Sequence, residues 1–194
     1  MKQEKVMQIL TKRCVFRNWK LEDADAVADG LNDFDVAKNL TVPFPYTKEN
    51  AIDFIEKHLE NDEKNYYFAI VNAEDGRLVG GTNIFINEAG EFHGGIWLHR
   101  DFQGKGYGTE IWTARAKFAF DFLGAEELMN GFYDFNERSK KMQQKIGHKI
   151  VGEKTNYSPA LKSEVREVLT KLSKADFEKY YNSIDFAFSV EDEK

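Results

Sequence analysis

The chain has 194 residues, 42% of them hydrophobic and 14% aromatic, and a formal net charge of −6 at pH 7. That length fits one domain able to bury a real core, and the composition excludes a disordered chain. The acidic balance speaks against a nucleic-acid partner, the one basic cluster being "RSKKMQQK" at 138–145. Cys14 is the single cysteine, so no intramolecular disulfide forms and a reducing compartment fits. No stretch approaches the ~20 apolar residues of a membrane span, and "MKQEKVMQILTKR" has too short an apolar run for a signal peptide. The expectation is a cytoplasmic protein without a membrane partner, a single domain over 1–194 with its core at about 9–175 and a terminal helix and tail at 176–194.

In chain order, "VMQIL" with "RCVFRNW" predicts an opening strand and its polar approach. "LEDADAVADGLNDF" predicts a helix, with Ala24, Val27, Ala28 and Leu31 at helical spacing and acids on the other faces. Two prolines in "TVPFPY" break the chain, and Thr47 caps a second helix carrying Ala51, Ile52, Ile55 and Leu59. The runs 66–71, 78–86 and 92–98, separated by "AEDGR" and "NEAGE", predict an antiparallel meander. After a glycine-rich loop, Ile111, Ala114, Arg115, Phe118 and Phe122 mark one face of a long helix closed near Gly124. "ELMNGFY" is a further strand, "NERSKKMQQKIG" a short helix, and "KIVGEK" with "EVREVLTKL" a closing strand pair. Ser173 and Asp176 open a terminal helix, and "SVEDEK" is read as a frayed tail. Helices, a meander and one strand–helix–strand crossover give an α+β architecture around a central mixed sheet.

The loop "HRDFQGKGYGTE" at 99–110 places glycines at 104, 106 and 108 between a strand and a helix. Such a turn presents free backbone N–H groups and the positive end of a helix dipole, which suits phosphate oxygens. It does not fit a P-loop, because no Lys-Ser/Thr follows the second glycine at the required spacing. It does not fit a dinucleotide fingerprint, because Thr109 stands where the third glycine belongs. The pattern Q/R-x-x-G-x-G/A is met by Gln103, Gly106 and Gly108. With "GGIWL" before the loop and the Asn-x-x-Ser helix "NERSKKMQQKIG" behind it, the chain from about residue 9 to 175 resembles the GNAT family of acetyl-CoA-dependent N-acyltransferases, and within it the RimJ/RimL-like branch.

The resemblance implies an α/β/α sandwich whose mostly antiparallel mixed sheet opens as a V between two parallel strands. The strand ending at Trp97 and Leu98 would carry a bulge, and pantetheine would pair with backbone near Leu98 and His99. Pyrophosphate would sit on the N–H groups of Gln103, Gly104, Lys105, Gly106, Tyr107, Gly108 and Thr109, with Asn136 holding pantetheine from the far strand. Ser139 matches the serine that protonates the CoA sulfur in some relatives; it could equally bond its own helix backbone. Many relatives carry Glu where this chain has His93, with Glu91 two residues earlier on the same strand face. Histidine is a residue type suited to a base, so His93 could replace the carboxylate, and the alternative is a hydrogen-bonded strand residue. His58 reads as helix surface.

The branch closes its short helix with Gly-Phe, whereas here Gly147 precedes His148, which could alter the pocket, bind substrate or face solvent. Trp19, Phe44, Tyr46 and Phe85 are core or acceptor pocket. Asp23, Asp25, Asp29, Asp33 and Asp35 are a solvated face that would also suit a cationic acceptor. One cysteine and four scattered histidines give no metal spacing. The reading is acetyl transfer from acetyl-CoA to a protein N-terminus or small cationic amine, by a monomer or homodimer. The alternative is a non-catalytic acyl-CoA sensor on the same fold.

Overall fold

The computed structural model describes residues 7–183 and 186–192. The opening segment is a hairpin of two strands, β1 (Met7–Thr11) and β2 (Cys14–Arg17), and not the single strand expected. Lys12 and Arg13 make its turn, while Ile9, Cys14 and Phe16 are buried.

The predicted first helix is broken into a 3₁₀ turn (Leu21–Asp23), α1 (Ala24–Leu31) and α2 (Phe34–Ala37). Asp33 causes the second break: its backbone is extended, and its carboxylate accepts the Asp35 N–H as the cap of a new helix. Thr47 opens α3 (Lys48–Lys57) through reciprocal bonds with Asn50, the hydroxyl accepting the Asn50 N–H and the Asn50 side chain accepting the Thr47 N–H. Ala51 and Ile55 are buried from this helix, whereas Leu59 lies beyond its end and is exposed.

The meander forms β3 (Asn65–Asn72), β4 (Leu78–Ile86) and a third strand split into β5 (Phe92–His93) and β6 (Ile96–Leu98). Gly94 and Gly95 make the split. A Cβ at Gly94 would stand 2.0 Å from the Asn83 carbonyl oxygen. Around this point the Asn83 N–H and the Thr82 hydroxyl both donate to the Gly95 carbonyl, at 3.1 and 2.9 Å, and the Asn83 side chain accepts the Gly95 N–H at 2.9 Å. The kink is therefore pinned to β4 through both backbone groups of Gly95.

From β6 the chain enters α4 (Tyr107–Asp121), then β7 (Glu127–Tyr133), α5 (Glu137–Lys145), β8 (Lys149–Ser158), β9 (Ser163–Ser173), α6 (Lys174–Tyr181) and β10 (Phe188–Asp192). The sheet order is β10-β1-β2-β3-β4-β5-β7-β9-β8, with β6 paired to β4 alone. β7 runs antiparallel to β9 over its whole length but meets β5 in parallel at one register position, Phe92 opposite Leu128. Beyond it β6 and β7 diverge, which is the V-shaped opening.

Helices cover both faces. On one side α4 packs over Ile9, Phe16, Phe68, Ile84 and Leu128; on the other α1 and α3 pack over Trp19, Tyr46, Ala69 and Leu78. The expected α/β/α sandwich with a mixed, mostly antiparallel sheet is what forms. The helix α4 is buried nearly all round and not along one face, because α6 covers its outer side, with Phe177 5.3 Å from Phe120. Phe122, expected on its buried face, lies past its last turn and is 53% exposed. The tail expected to fray is instead the edge strand β10, antiparallel to β1; residues 193–194 lie outside the described residues. No helix among the described residues is long and apolar enough to cross a membrane.

The kink separates two neighbouring glycines by experiment. Gly94→Ala drives a Cβ into the β4 backbone and should cost about 2 kcal/mol or more in urea denaturation. Gly95→Ala, whose Cβ would meet nothing nearer than 4.0 Å, should cost under about 1 kcal/mol.

Candidate active site

The loop leaving β6 is built for exposed backbone donors. The His99 N–H bonds the Val79 carbonyl, and its ring Nδ1 accepts the Asp101 N–H, opening a 3₁₀ turn over Arg100–Phe102. Gly104 and Gly106 follow at φ 74° and 85°, left-handed backbone that glycine adopts without strain. Gly106 caps α4, and the first bond into the helix runs from the Glu110 N–H to the Gly106 carbonyl. The N–H groups of Tyr107, Gly108 and Thr109 are thus left without intrahelical partners. Among the described residues, those of Gly104, Lys105 and Gly106 find none either. Six donors converge at the positive end of a 15-residue helix.

Two tethers hold this loop. Glu110, 9% exposed, accepts from the Thr11 hydroxyl at 2.7 Å, the Arg13 N–H at 2.9 Å and the Arg13 guanidinium at 2.6 Å. The same guanidinium donates to the Lys105 carbonyl at 3.0 Å and lies 4.1 Å over the Tyr107 ring. On the other side Gln103 donates to the Leu98 carbonyl at 3.0 Å and accepts from Arg138 of α5 at 2.6 Å. Sequence reading missed Arg13, Glu110 and Arg138. An acid in the first turn after a glycine loop was the only available signal for Glu110; nothing local connects it to Arg13, 97 residues away.

The opening itself is lined by backbone. Residues 79 and 99, and 83 and 95, are joined by ladder bonds. By antiparallel alternation the N–H and C=O groups of Ile96 and Leu98 therefore point away from β4, toward β7. Trp97 serves the opposite face: a Cβ at Gly30 or Gly81 would come within 2.8 or 2.7 Å of its ring, so it wedges α1 onto the sheet. The His99 ring is likewise engaged, with Nε2 3.0 Å from Asp29.

On α5, Asn136 Oδ1 accepts the Ser139 N–H at 3.1 Å as the helix cap. The Ser139 hydroxyl, half-buried, lies 3.0 Å from Gln143 Nε2. His93 and Glu91 lie elsewhere. The His93 ring stacks on Phe85 and shares Nε2 contacts with Asn87 at 3.1 Å and Glu91 at 3.4 Å. The Asn87 hydrogen bond, with His93 second, lowers the Glu91 carboxyl below the ordinary range. Strand alternation puts His93 on the α1–α3 face, since Phe92 packs with the α4 cluster. Ser139 belongs to the α4–α5 side, and the two are not brought into contact.

The remaining candidates are mostly structural. Asp23 pairs with Arg17, Asp25 with Lys48, and Asp33 and Asp35 both with Arg100. Asp23 is buried on Arg17, whereas the Asp25, Asp29 and Asp35 side chains are 77%, 79% and 56% exposed, the solvated face that was expected, with surface ion pairs to their neighbours. Trp19 and Tyr46 are core at 3% and 5% exposure, and Phe44 packs edge-on against Phe34. His58 sits past the end of α3, stacked 3.7 Å from Tyr67. Cys14 is buried, and burial with the neighbouring Glu110 carboxylate pushes its thiol up to about 12. His148 faces neither solvent nor an open pocket: it is 6% exposed, accepts the Trp112 indole N–H at 3.1 Å and contacts the Thr170 hydroxyl at 3.2 Å. Among the described residues no His/Cys/Asp/Glu group could hold a metal ion.

Burial, reinforced by the Arg115 charge, lowers His148 to about 3, whereas an unfolded His titrates near ~6.5. The unfolded chain takes up this proton first, so the stability that neutral His148 contributes is complete above pH 6.5 and is lost as pH falls toward 3. Between pH 6.5 and 5, wild-type unfolding free energy should fall by up to about 1.4 kcal/mol per pH unit more steeply than that of His148→Phe. Parallel pH profiles in urea would remove His148 as the source.

Comparison with known proteins agrees with this geometry. The profile described as "Acetyltransferase (GNAT) domain" matches residues 13–149. An uncharacterized N-acetyltransferase of Bacillus subtilis (strain 168), YnaD, is 27% identical over 149 residues, 75% of this chain and 85% of the relative. Ribosomal-protein-S5-alanine acetyltransferase from Vibrio fischeri shares the fold with a TM-score of 0.69 at 19% identity, over 87% of this chain and 98% of its own. Spermidine N-acetyltransferase from Vibrio cholerae, solved with CoA and spermine, does so with a TM-score of 0.73 at 14% identity, over 85% and 98%. With the profile running from β2 through the first helices, the splayed strands and the glycine loop to the start of β8, the chain belongs to the GNAT acetyltransferase family.

Proposed function

We propose that this protein transfers the acetyl group of acetyl-CoA to a primary amine by direct attack, with a peptide N-terminus as the acceptor and a small cationic amine as the second candidate. The observation that carries the reading is the row of unpartnered N–H groups at the start of α4, opening on a gap whose β6 edge is unpaired. These residues fit a pyrophosphate joined to an amide-bearing arm. The N–H groups from Gly104 to Thr109 take phosphate oxygens, with Lys105 adding a screened charge; the Gln103 N–H, expected among them, is instead spent on the Arg100 carbonyl at 3.1 Å, closing the 3₁₀ turn. The outward N–H of Leu98, whose carbonyl is taken by Gln103, pairs with the arm, and Asn136 has its amide N–H₂ available because only its oxygen is used in the cap. Trp97 and His99 act by holding that strand and loop in place.

Acetyl-CoA supplies an activated thioester. As the amine nitrogen bonds to the acetyl carbon and the C–S bond breaks, Ser139 gives its hydroxyl proton to the sulfur and regains one from solvent. His93, steadied by Glu91 and Asn87, takes the proton of the amine through water and passes it to solvent. An α-amino group titrates near ~8, so only modest help is needed at neutral pH. The burial of Cys14 supports direct transfer, since a thiol held at about 12 supplies no thiolate for an acyl-enzyme. The S5-alanine acetyltransferase and the spermidine acetyltransferase that share the fold point to the two acceptor classes. One observation favours a second reading, an acyl-CoA sensor: the histidine in the expected base position is stacked on Phe85, away from Ser139.

Two experiments test this. With CoA at a hundredfold excess over its Kd, the wild-type Tm should rise by about 5–10 °C. Gly106→Val should abolish that rise while remaining folded; an unchanged rise removes the loop as the phosphate site. A panel of peptide and small amines with a free-thiol readout should give turnover that Ser139→Ala lowers about 100-fold with little change in KM for acetyl-CoA. CoA binding without turnover on any amine leaves the sensor.

A further inference from the structure

We propose that Gln143, oriented by a buried hydrogen-bonded chain from Trp112 through His148 and Thr170, is the positioning residue that turns the Ser139 proton outward. This rests on the reading of Ser139 as proton donor to the departing sulfur.

The direction of the chain follows from what each group can do. The Trp112 indole nitrogen is a donor only, and its acceptor is His148 Nε2 at 3.1 Å. Nε2 therefore carries the lone pair, and the neutral ring holds its proton on Nδ1. Nδ1–H then donates to Thr170 Oγ1 at 3.2 Å. The Thr170 O–H donates onward to Gln143 Oε1 at 2.5 Å. This settles the amide: its oxygen faces Thr170, and Nε2 donates to Ser139 Oγ at 3.0 Å and to the Gly131 carbonyl at 3.3 Å.

Ser139 Oγ is thus an acceptor toward the interior, and its own proton is left for the cleft. Reversal of the chain would present Gln143 Oε1 to Ser139 and draw that proton inward. The donor-only indole fixes the His148 end of the chain, and the Gly131 carbonyl, an acceptor only, opposes the flipped amide, which would face it with Oε1. The chain is sealed from water, with Trp112 and Thr170 each 2% exposed, His148 6% and Gln143 0%. Burial, with the charge of the buried Arg115 second, keeps a second proton off His148; the Arg115 guanidinium lies 4.6 Å from the Trp112 ring. Without such a partner, a first-turn serine is free to turn its proton to a carbonyl of its own helix.

The test is a set of variants made in both wild-type and Ser139→Ala protein. Gln143→Leu and Thr170→Val, the latter removing only the hydroxyl at constant shape, should each lower kcat about tenfold, with KM for acetyl-CoA changed by less than about twofold. Thr170→Ser should recover most of that loss. In the Ser139→Ala background neither change should lower kcat further. Equal losses in both backgrounds, or wild-type kcat in Thr170→Val while Ser139→Ala is slow, overturn the positioning role and leave Ser139 as donor. Wild-type kcat in Ser139→Ala overturns the donor and the positioning role together. Independently of turnover, ¹⁵N NMR of His148 should show the Nδ1–H tautomer; an Nε2–H ring overturns the chain's direction even if a variant fails to fold.

Discussion

Separating two neighbouring strands of a sheet strips backbone donors and acceptors of their partners, and unpaired groups are costly unless something else takes them. The opening between β6 and β7 depends on how this chain meets that constraint. Gly94 and Gly95 let the third meander strand bend so closely against β4 that Asn83 and Thr82 satisfy the kink. β6 then continues on β4 alone, and its free edge turns outward. One such edge carbonyl, on Leu98, is taken by Gln103, which also reaches α5 through Arg138. The remaining edge groups are the ones a bound amide chain can use.

The start of α4 is held without being covered. Glu110 gathers three donors from the β1–β2 hairpin and is favoured by the helix N-terminus it occupies. Arg13 completes the clamp from outside, against the Tyr107 ring and the Lys105 carbonyl. Because Gly104 and Gly106 carry no side chains, the clamp fixes the loop while its N–H groups stay open. Donors held before a ligand arrives need no reorganisation when it does.

The sheet divides the chemistry by face. Ser139 and the buried chain behind it lie with α4 and α5, whereas His93 lies with α1 and α3 across the sheet. The acids of the first helices are spent on Arg17, Lys48 and Arg100. The difference between a paired and an open aspartate is a matter of partners, and the partners come from distant parts of the chain.

What the sequence determined by itself was local. The capping pairs Thr47–Asn50 and Ser173–Asp176, the meander with its turns, the glycine loop and the Asn136–Ser139 cap all lie within a few residues of one another. Their physics is short-range: backbone conformation, helix periodicity and side-chain-to-backbone bonds. The extended backbone at Asp33 that breaks the first helix was local too, but its Asp-x-Asp cap is weak beside a run of apolar helical spacing. Tertiary structure alone decided which edge the C-terminal segment would protect, that α4 would be covered on both sides, and that Glu110 would meet Arg13. It also decided the fate of His148, because a histidine after a glycine is indifferent in sequence. Only Trp112 of α4 and Thr170 of β9, meeting it in the interior, make it a neutral, directed link in a buried chain.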